Sequence, residues 1–171
     1  MKKKCVIITA PGFQDEEVVY PYYRLMEEGH SVEVATKDGA VVYGKYGVPA
    51  RATMATTQLK SSNFDCVLLP GGFEAPDRLR LLPEVQEFVR EMDQQKKLVA
   101  AICHGPWIMI SAGVCKGRKM TAFWSIEEDI RNSGADYQHK VSVVIDDNFI
   151  TSPHYNNNGD FMRAVINYLS S

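Results

Sequence analysis

The stretch Leu98-Val99-Ala100-Ala101-Ile102, followed by Cys103-His104-Gly105-Pro106, constrains this chain more than any other. Five consecutive apolar residues are too few for an independent helix and read as a parallel strand buried on both faces. Small residues and a Gly-Pro pair follow, and apolar residues resume at helical density from Trp107 to Ile110. Cys103 therefore falls on a sharp turn between a buried strand and a helix. That is the mechanical arrangement of a nucleophile elbow, here Ala101-Ile102-Cys103-His104-Gly105. The helix N-terminus beyond the turn offers free N–H groups and a positive dipole end, which predicts a depressed thiol pKa. The competing reading is an inert structural cysteine, because free cysteine is among the most buried residue types.

Around this stretch, apolar runs alternate with helical patterns. Cys5–Thr9, Ser31–Thr36 and Asp65–Leu69 read as strands, and Gly39, Gly44, Gly47 and Pro49 punctuate a small hairpin between residues 37 and 56. Asp15 is the expected cap of a first helix that bends at Pro21 and stops at Gly29. Val85, Phe88, Val89 and Met92 mark one buried helix face by their spacing. Gly113 closes the helix after Cys103. Lys119–Phe123 is expected as a short strand, Ile126–Asn132 as a short helix and residues 141–151 as a final hairpin. A last helix after Gly159 turns Phe161, Val165, Tyr168 and Leu169 inward. Alternating strands and helices predict an α/β domain with an open, mostly parallel sheet and helices on both faces. With 171 residues and no linker, repeat or low-complexity tract, residues 1–171 are expected to form one domain.

Ligands on such sheets bind beyond the carboxyl ends of the strands. Three segments with suitable chemistry end there: Gln14-Asp15-Glu16-Glu17, Pro70-Gly71-Gly72, and Cys103. Gly71-Gly72 can turn a backbone N–H toward a developing oxyanion, with the N–H of His104 as a second donor; a plain turn is the simpler reading. Glu17 is the candidate proton carrier, and a solvated acid in the first helical turn is its alternative. His154, after the final hairpin, is a further candidate at the site or else a surface histidine. Adjacent residues on a tight turn point apart, so the His104 imidazole is not expected to face the Cys103 sulfur. Trp107 and Trp124 read as core or interface residues.

Several classes are excluded by what is missing. A net charge of −2 offers no global attraction to nucleic acid or an anionic membrane surface. The apolar run after Met1-Lys2-Lys3-Lys4 is too short for a signal peptide, and no segment is long enough to span a membrane. The cysteines at 5, 66, 103 and 115 form no CxxC pair and share no ligand spacing with the histidines, so neither a metal site nor a disulfide framework is indicated. Cytoplasmic location and chemistry without a cofactor are the expectations. Cys115, in a glycine-flanked loop, is the one rival to Cys103 by expected exposure.

Several motifs in order resemble the PfpI group of the ThiJ/PfpI superfamily. They are Tyr20-Pro21-Tyr22-Tyr23-Arg24-Leu25, Leu69-Pro70-Gly71-Gly72, Ala75-Pro76-Asp77-Arg78, Ala101-Ile102-Cys103-His104-Gly105-Pro106, Gly117-Arg118-Lys119 and Asn132-Ser133-Gly134-Ala135. That superfamily includes intracellular cysteine peptidases, glyoxalases and deglycases. The resemblance implies a flavodoxin-like fold, Cys103 as nucleophile and Glu17 hydrogen-bonded to it. It also implies His104 paired with a carboxylate from a neighbouring subunit, a position that maps onto Asp77. A homo-oligomer, dimer or higher, follows as an expectation. Gln14 stands where related members carry a second acid, and Ser152-Pro153-His154 replaces a stretch that begins Ser-Arg. His154-Tyr155-Asn156 lacks the His-x-Glu of glutamine amidotransferases. The leading reading is a cysteine enzyme converting small 2-oxoaldehydes to 2-hydroxy acids or removing glycation adducts. A peptidase using Cys103, His104 and a neighbour's Asp77, and a stress protein sensing oxidant through Cys103, are the alternatives.

Overall fold

Apolar runs that cannot be left in water set the layout, and the computed structural model describes all residues from Met1 to Ser171. The first half contains β1 (Lys4–Ile8), α1 (Asp15–Glu27), β2 (Ser31–Thr36), β3 (Val42–Tyr43), β4 (Pro49–Ala50), β5 (Met54–Ala55), β6 (Cys66–Leu69), α2 (Ala75–Leu79) and α3 (Pro83–Gln94). The second half contains β7 (Leu98–Ile102), α4 (Pro106–Ala112), β8 (Lys119–Met120), α5 (Glu127–Asn132), β9 (Asp136–Tyr137), β10 (Val144–Asp146), β11 (Phe149–Ser152) and α6 (Asn158–Ser170).

Seven strands form one sheet in the order β10-β11-β7-β6-β1-β2-β5. Every neighbouring pair is parallel except β10 and β11, which close as an antiparallel hairpin. All residues of β6 and β7 are buried, which requires cover on both sheet faces. Helices supply it: α1 packs with α6, and α3 packs with α4. This is the flavodoxin-like α/β arrangement expected from the alternation of strands and helices. β6, β7, β1 and β11 end at one edge, so the segments that follow them gather there.

Three local expectations are corrected. Asp15 does not cap α1; the N-cap is Gln14, which makes no side-chain cap. Both Asp15 carboxylate oxygens instead accept long-range hydrogen bonds, from the N–H of Val48 and of Tyr46, each at 2.9 Å. Pro21, where a bend was expected, lies inside an α1 that runs unbroken from Asp15 to Glu27. Val18, Pro21 and Leu25 are buried along one face, and that packing outweighs the single backbone bond a proline removes. The strand expected at Lys119–Phe123 stops at Met120, where β8 pairs only with β9 in a separate two-stranded sheet. Finally, Cys115 is 1% exposed, so its glycine-flanked loop folds inward. No helix is long and apolar enough to cross a membrane.

Candidate active site

The corner after β7 holds one of the four non-glycine residues with positive φ. Cys103 has φ of 61°, a left-handed conformation that costs energy for any residue with a Cβ. Its surroundings over-determine it. The Cys103 N–H donates to Ser152 O at 2.9 Å, and Cys103 O accepts from the Phe123 N–H at 3.0 Å. The next N–H, of Gly105, turns back to Ile102 O at 2.8 Å. Such strain, held from both sides by neighbouring strands and loops, is the usual mark of a functional turn. Parallel pairing of β11 with β7 brings Ser152 opposite Ile102, which delivers His154 to the same corner.

Glu17 approaches from the other side. It is the third residue of α1, fully buried, and its Oε2 accepts the Gly71 N–H at 2.6 Å. That contact depends on glycine: a Cβ at position 71 would lie 2.7 Å from Cys103 Cβ and 2.8 Å from Glu17 Oε2. Glu17 Oε1 is buried with no hydrogen bond of its own, and the Cys103 side chain adjoins the carboxyl. Burial pushes the Glu17 pKa up to about 8, against the opposing pull of the Gly71 N–H and the Cys103 side chain. Because Oε2 is occupied by a donor, a proton held by this carboxyl resides on Oε1.

The thiol does not have the depressed pKa expected from the helix start. Burial raises it, and the charge of Glu17 raises it further, while the N–H groups of Gly72 and His104 act in the opposite direction. The helix begins only at Pro106, so its dipole is too far along the chain to dominate. Both shifts favour the protonated forms, so at neutral pH the carboxyl and the thiol each hold a proton. When the thiol gives up its proton, the Gly72 and His104 N–H groups face the negative sulfur.

His104 also departs from expectation. Its Nδ1 lies 3.2 Å from Cys103 Sγ, because the left-handed turn swings the two adjacent side chains to one side. The ring is stacked on Phe123 with centroids 4.9 Å apart, and its Nε2 lies 3.3 Å from Ser125 Oγ. Burial lowers the pKa of His104 and that of His154, which keeps both imidazoles neutral at pH 7. Asp77 is exposed on α2, and no side chain of this chain brings it to His104. Gln14 is buried at the cleft, with its side-chain amide donating to Glu16 at 2.7 Å.

A cleft of about 340 Å³ opens onto the sulfur, lined by Gln14, Lys45, Gly72, Phe73, Cys103, His104, Trp107, Phe123, His154 and Tyr155. This is the small end of the range for ligand pockets. Among the sequence candidates, the structure brings Cys103, Glu17, Gly71, Gly72, His104, Gln14 and His154 together, and leaves Asp77 outside. Sequence reasoning missed Lys45, Phe73, Phe123 and Tyr155 as cleft residues. Trp107, read as core or interface, packs half-buried against the core and also lines the cleft, and Trp124 is 64% exposed. Loop residues carry no periodicity that announces which cavity they line. No three His, Cys, Asp or Glu side chains converge as a metal ion would need.

With the geometry in hand, comparison with known proteins is specific. Residues 3–168 match the model of the DJ-1/PfpI family. A curated relative from Pyrococcus furiosus, named Deglycase PfpI, is 40% identical over 166 residues, covering 97% of this chain and 99% of the relative. YraA of Bacillus subtilis, provisionally named a cysteine protease, is 35% identical over 170 residues and 99% of each chain. Among solved structures, a two-domain protein from Anabaena variabilis with DJ-1/ThiJ/PfpI-like and ferritin-like domains superposes with a TM-score of 0.95 at 36% identity. The match covers 99% of this chain and 48% of that one.

Proposed function

The chain belongs to the DJ-1/PfpI family, and on that premise we propose that it is a cofactor-independent cysteine enzyme acting on small reactive carbonyls. In this reading, Cys103 is the nucleophile and Glu17 the proton carrier of a glyoxalase- or deglycase-like reaction. The observation that carries it is the Glu17 carboxyl, fully buried against the Cys103 side chain, raised to about 8 and with an Oε1 that accepts no other hydrogen bond. A group that both gives and takes a proton near neutral pH needs such a pKa.

The chemistry balances without a co-reactant other than water. Sulfur adds to the aldehyde carbon of a 2-oxoaldehyde, and the thiol proton ends on the new hydroxyl, giving a hemithioacetal. Glu17 removes the proton from that carbon to form an enediol and returns one to the neighbouring carbon, giving a 2-hydroxy thioester. Water then cleaves the carbon–sulfur bond, releasing a 2-hydroxy acid and the thiol. The N–H groups of Gly72 and His104 stabilise the oxyanions of addition and hydrolysis. In deglycation the hemiaminal or hemithioacetal first loses its amine or thiol, which leaves with a proton as the aldehyde re-forms, and Cys103 then adds to that aldehyde in the same way. Turnover of methylglyoxal to lactate in heavy water tests the scheme. Deuterium at the hydroxyl-bearing carbon is expected from the enediol, and lactate free of deuterium overturns the Glu17 step.

One contact favours a second reading as a peptidase, the 3.2 Å approach of His104 Nδ1 to the sulfur. It is the pairing a Cys-His nucleophile uses. The imidazole lacks a carboxylate orienter within this chain, so that reading requires Asp77 from a second copy. Hydrolysis of a fluorogenic peptide that fails in Asp77→Asn would support it.

A further inference from the structure

Resting on the carbonyl-enzyme reading, we propose that Lys45 makes the cleft selective for reactive carbonyl compounds that carry a carboxylate. Lys45 is the one cation lining the cavity, and no carboxylate pairs with it. Its ammonium lies 5.3 Å from the centroid of the Tyr46 ring, its one other partner. The rest of the lining carries no formal charge at neutral pH: the imidazoles of His104 and His154 are neutral, Gln14 is an amide, and burial keeps the Cys103 thiol protonated. Glu16, an acid beside the cleft, is exposed and held by Gln14 at 2.7 Å.

The loop that presents Lys45 is built rather than floppy. The Lys45 N–H donates to Phe13 O at 2.8 Å, and the Tyr46 and Val48 N–H groups donate to the two oxygens of buried Asp15 at 2.9 Å. Gly44 N–H closes onto Val48 O at 2.9 Å, and the Gly12 N–H reaches Tyr43 O at 2.9 Å. The loop is thereby bolted to the same β1–α1 segment that carries Gln14 and Glu17. Asp15 acts as a positioning residue: its carboxylate spends both oxygens on holding the lysine's backbone at a fixed distance from the sulfur. One ammonium without a second cation suits a monoanion, whereas phosphate sites gather several donors. Phe73, Trp107, Phe123 and Tyr155 supply an aromatic wall for the body of such a substrate.

Two probe pairs test this, one independent of turnover. Iodoacetate and iodoacetamide alkylate the same sulfur and differ in one negative charge. The ratio of their rate constants at Cys103 is expected to fall about tenfold in Lys45→Met, to recover in Lys45→Arg, and to shrink in wild type as salt is raised. Phenylglyoxal and 4-carboxyphenylglyoxal share their reacting carbons, and the ratio of their kcat/KM values is expected to change in the same direction. Asp15→Asn is expected to lower both ratios part of the way. An alkylation ratio that is equal in wild type and Lys45→Met overturns the role of Lys45, whatever the turnover shows. A falling ratio with no turnover of either phenylglyoxal supports anion selection at Lys45 and removes the carbonyl reaction.

Discussion

Cys103 and Cys115 are both buried, and burial raises both thiols, that of Cys115 to about 12. They lie just before and just after the same helix, α4, yet their surroundings differ in kind. Cys115 has a hydroxyl neighbour in Ser133, and the charges near it, Arg118 and Asp93, are already paired at 2.7 Å. Cys103 has a carboxyl that can take its proton, two N–H groups that face its sulfur, and a cleft that opens onto it. Burial alone therefore makes an inert thiol. Reactivity requires a nearby place for the proton to go and a path for the substrate to arrive.

The largest expected effect separates the two directly. Cys103→Ala is expected to reduce methylglyoxal turnover to background. Cys115→Ala is expected to retain turnover per folded molecule, losing about 1 kcal/mol of stability from a small cavity. Mild peroxide followed by peptide mass spectrometry is expected to oxidise Cys103 first. Oxidation appearing first at Cys115 would break the contrast.

Removing only the proton acceptor gives the next effect. Glu17→Gln keeps the size and the Gly71 hydrogen bond but cannot shuttle a proton. Turnover is expected to fall by about 10²–10⁴-fold while Cys103 still adds to the aldehyde, read as stoichiometric protection from alkylation. The same variant tests the pKa through stability. A carboxyl raised from 4.5 to about 8 binds its proton more tightly in the folded than in the unfolded state. Wild-type stability is thus expected to fall as pH rises from about 4.5 to about 8, by an amount on the order of a few kcal/mol. Chemical denaturation of Glu17→Gln is expected to lack that slope, and an unchanged slope would place the titration elsewhere.

The corner itself has a steric requirement that the Cys115 loop lacks. A Cβ on Gly105 would lie 2.0 Å from Leu69 O and 2.9 Å from Ile102 O, which are strand backbone and cannot yield. Gly105→Ala is expected to cost about 1–3 kcal/mol or more, because the turn must move away from β6. A lowered denaturation midpoint together with lost activity checks this.

The sequence carries the central strands openly, because β6 and β7 are apolar runs buried on both faces and nothing else accommodates them. The cysteine corner is legible for a related reason: small residues and Gly-Pro mark the turn between two apolar segments. Glu17 is legible through the topology, since α1 starts at the same sheet edge as the Cys103 turn. What escaped was set by contacts distant in sequence. Asp15 looks like a cap until Tyr46 and Val48 are brought beside it. The sign of the thiol shift depended on the charge of Glu17 and on burial, neither of which the local turn encodes. Lys45 had no local signal because a loop residue's partners are decided by the fold.

The smallest effect distinguishes what orients His104. Within the chain, the imidazole is held by stacking on Phe123 and by Ser125 Oγ at 3.3 Å from Nε2, with no carboxylate in contact. Stacking fixes the ring plane, so the hydroxyl adds only a weak neutral hydrogen bond at an exposed position. Ser125→Ala is expected to change kcat/KM for methylglyoxal by less than about threefold, since an exposed neutral hydrogen bond contributes little. Asp77→Asn is expected to do less still, because Asp77 is exposed on α2 and does not reach His104 of its own chain. The comparison is sharp because the peptidase reading reverses the order: a carboxylate from a second copy would stabilise an imidazolium, and its loss would cost far more than the serine hydroxyl. A tenfold or greater loss of peptide hydrolysis in Asp77→Asn, with Ser125→Ala near wild type, would transfer the orienting role to a neighbouring subunit and make the assembled protein the active unit.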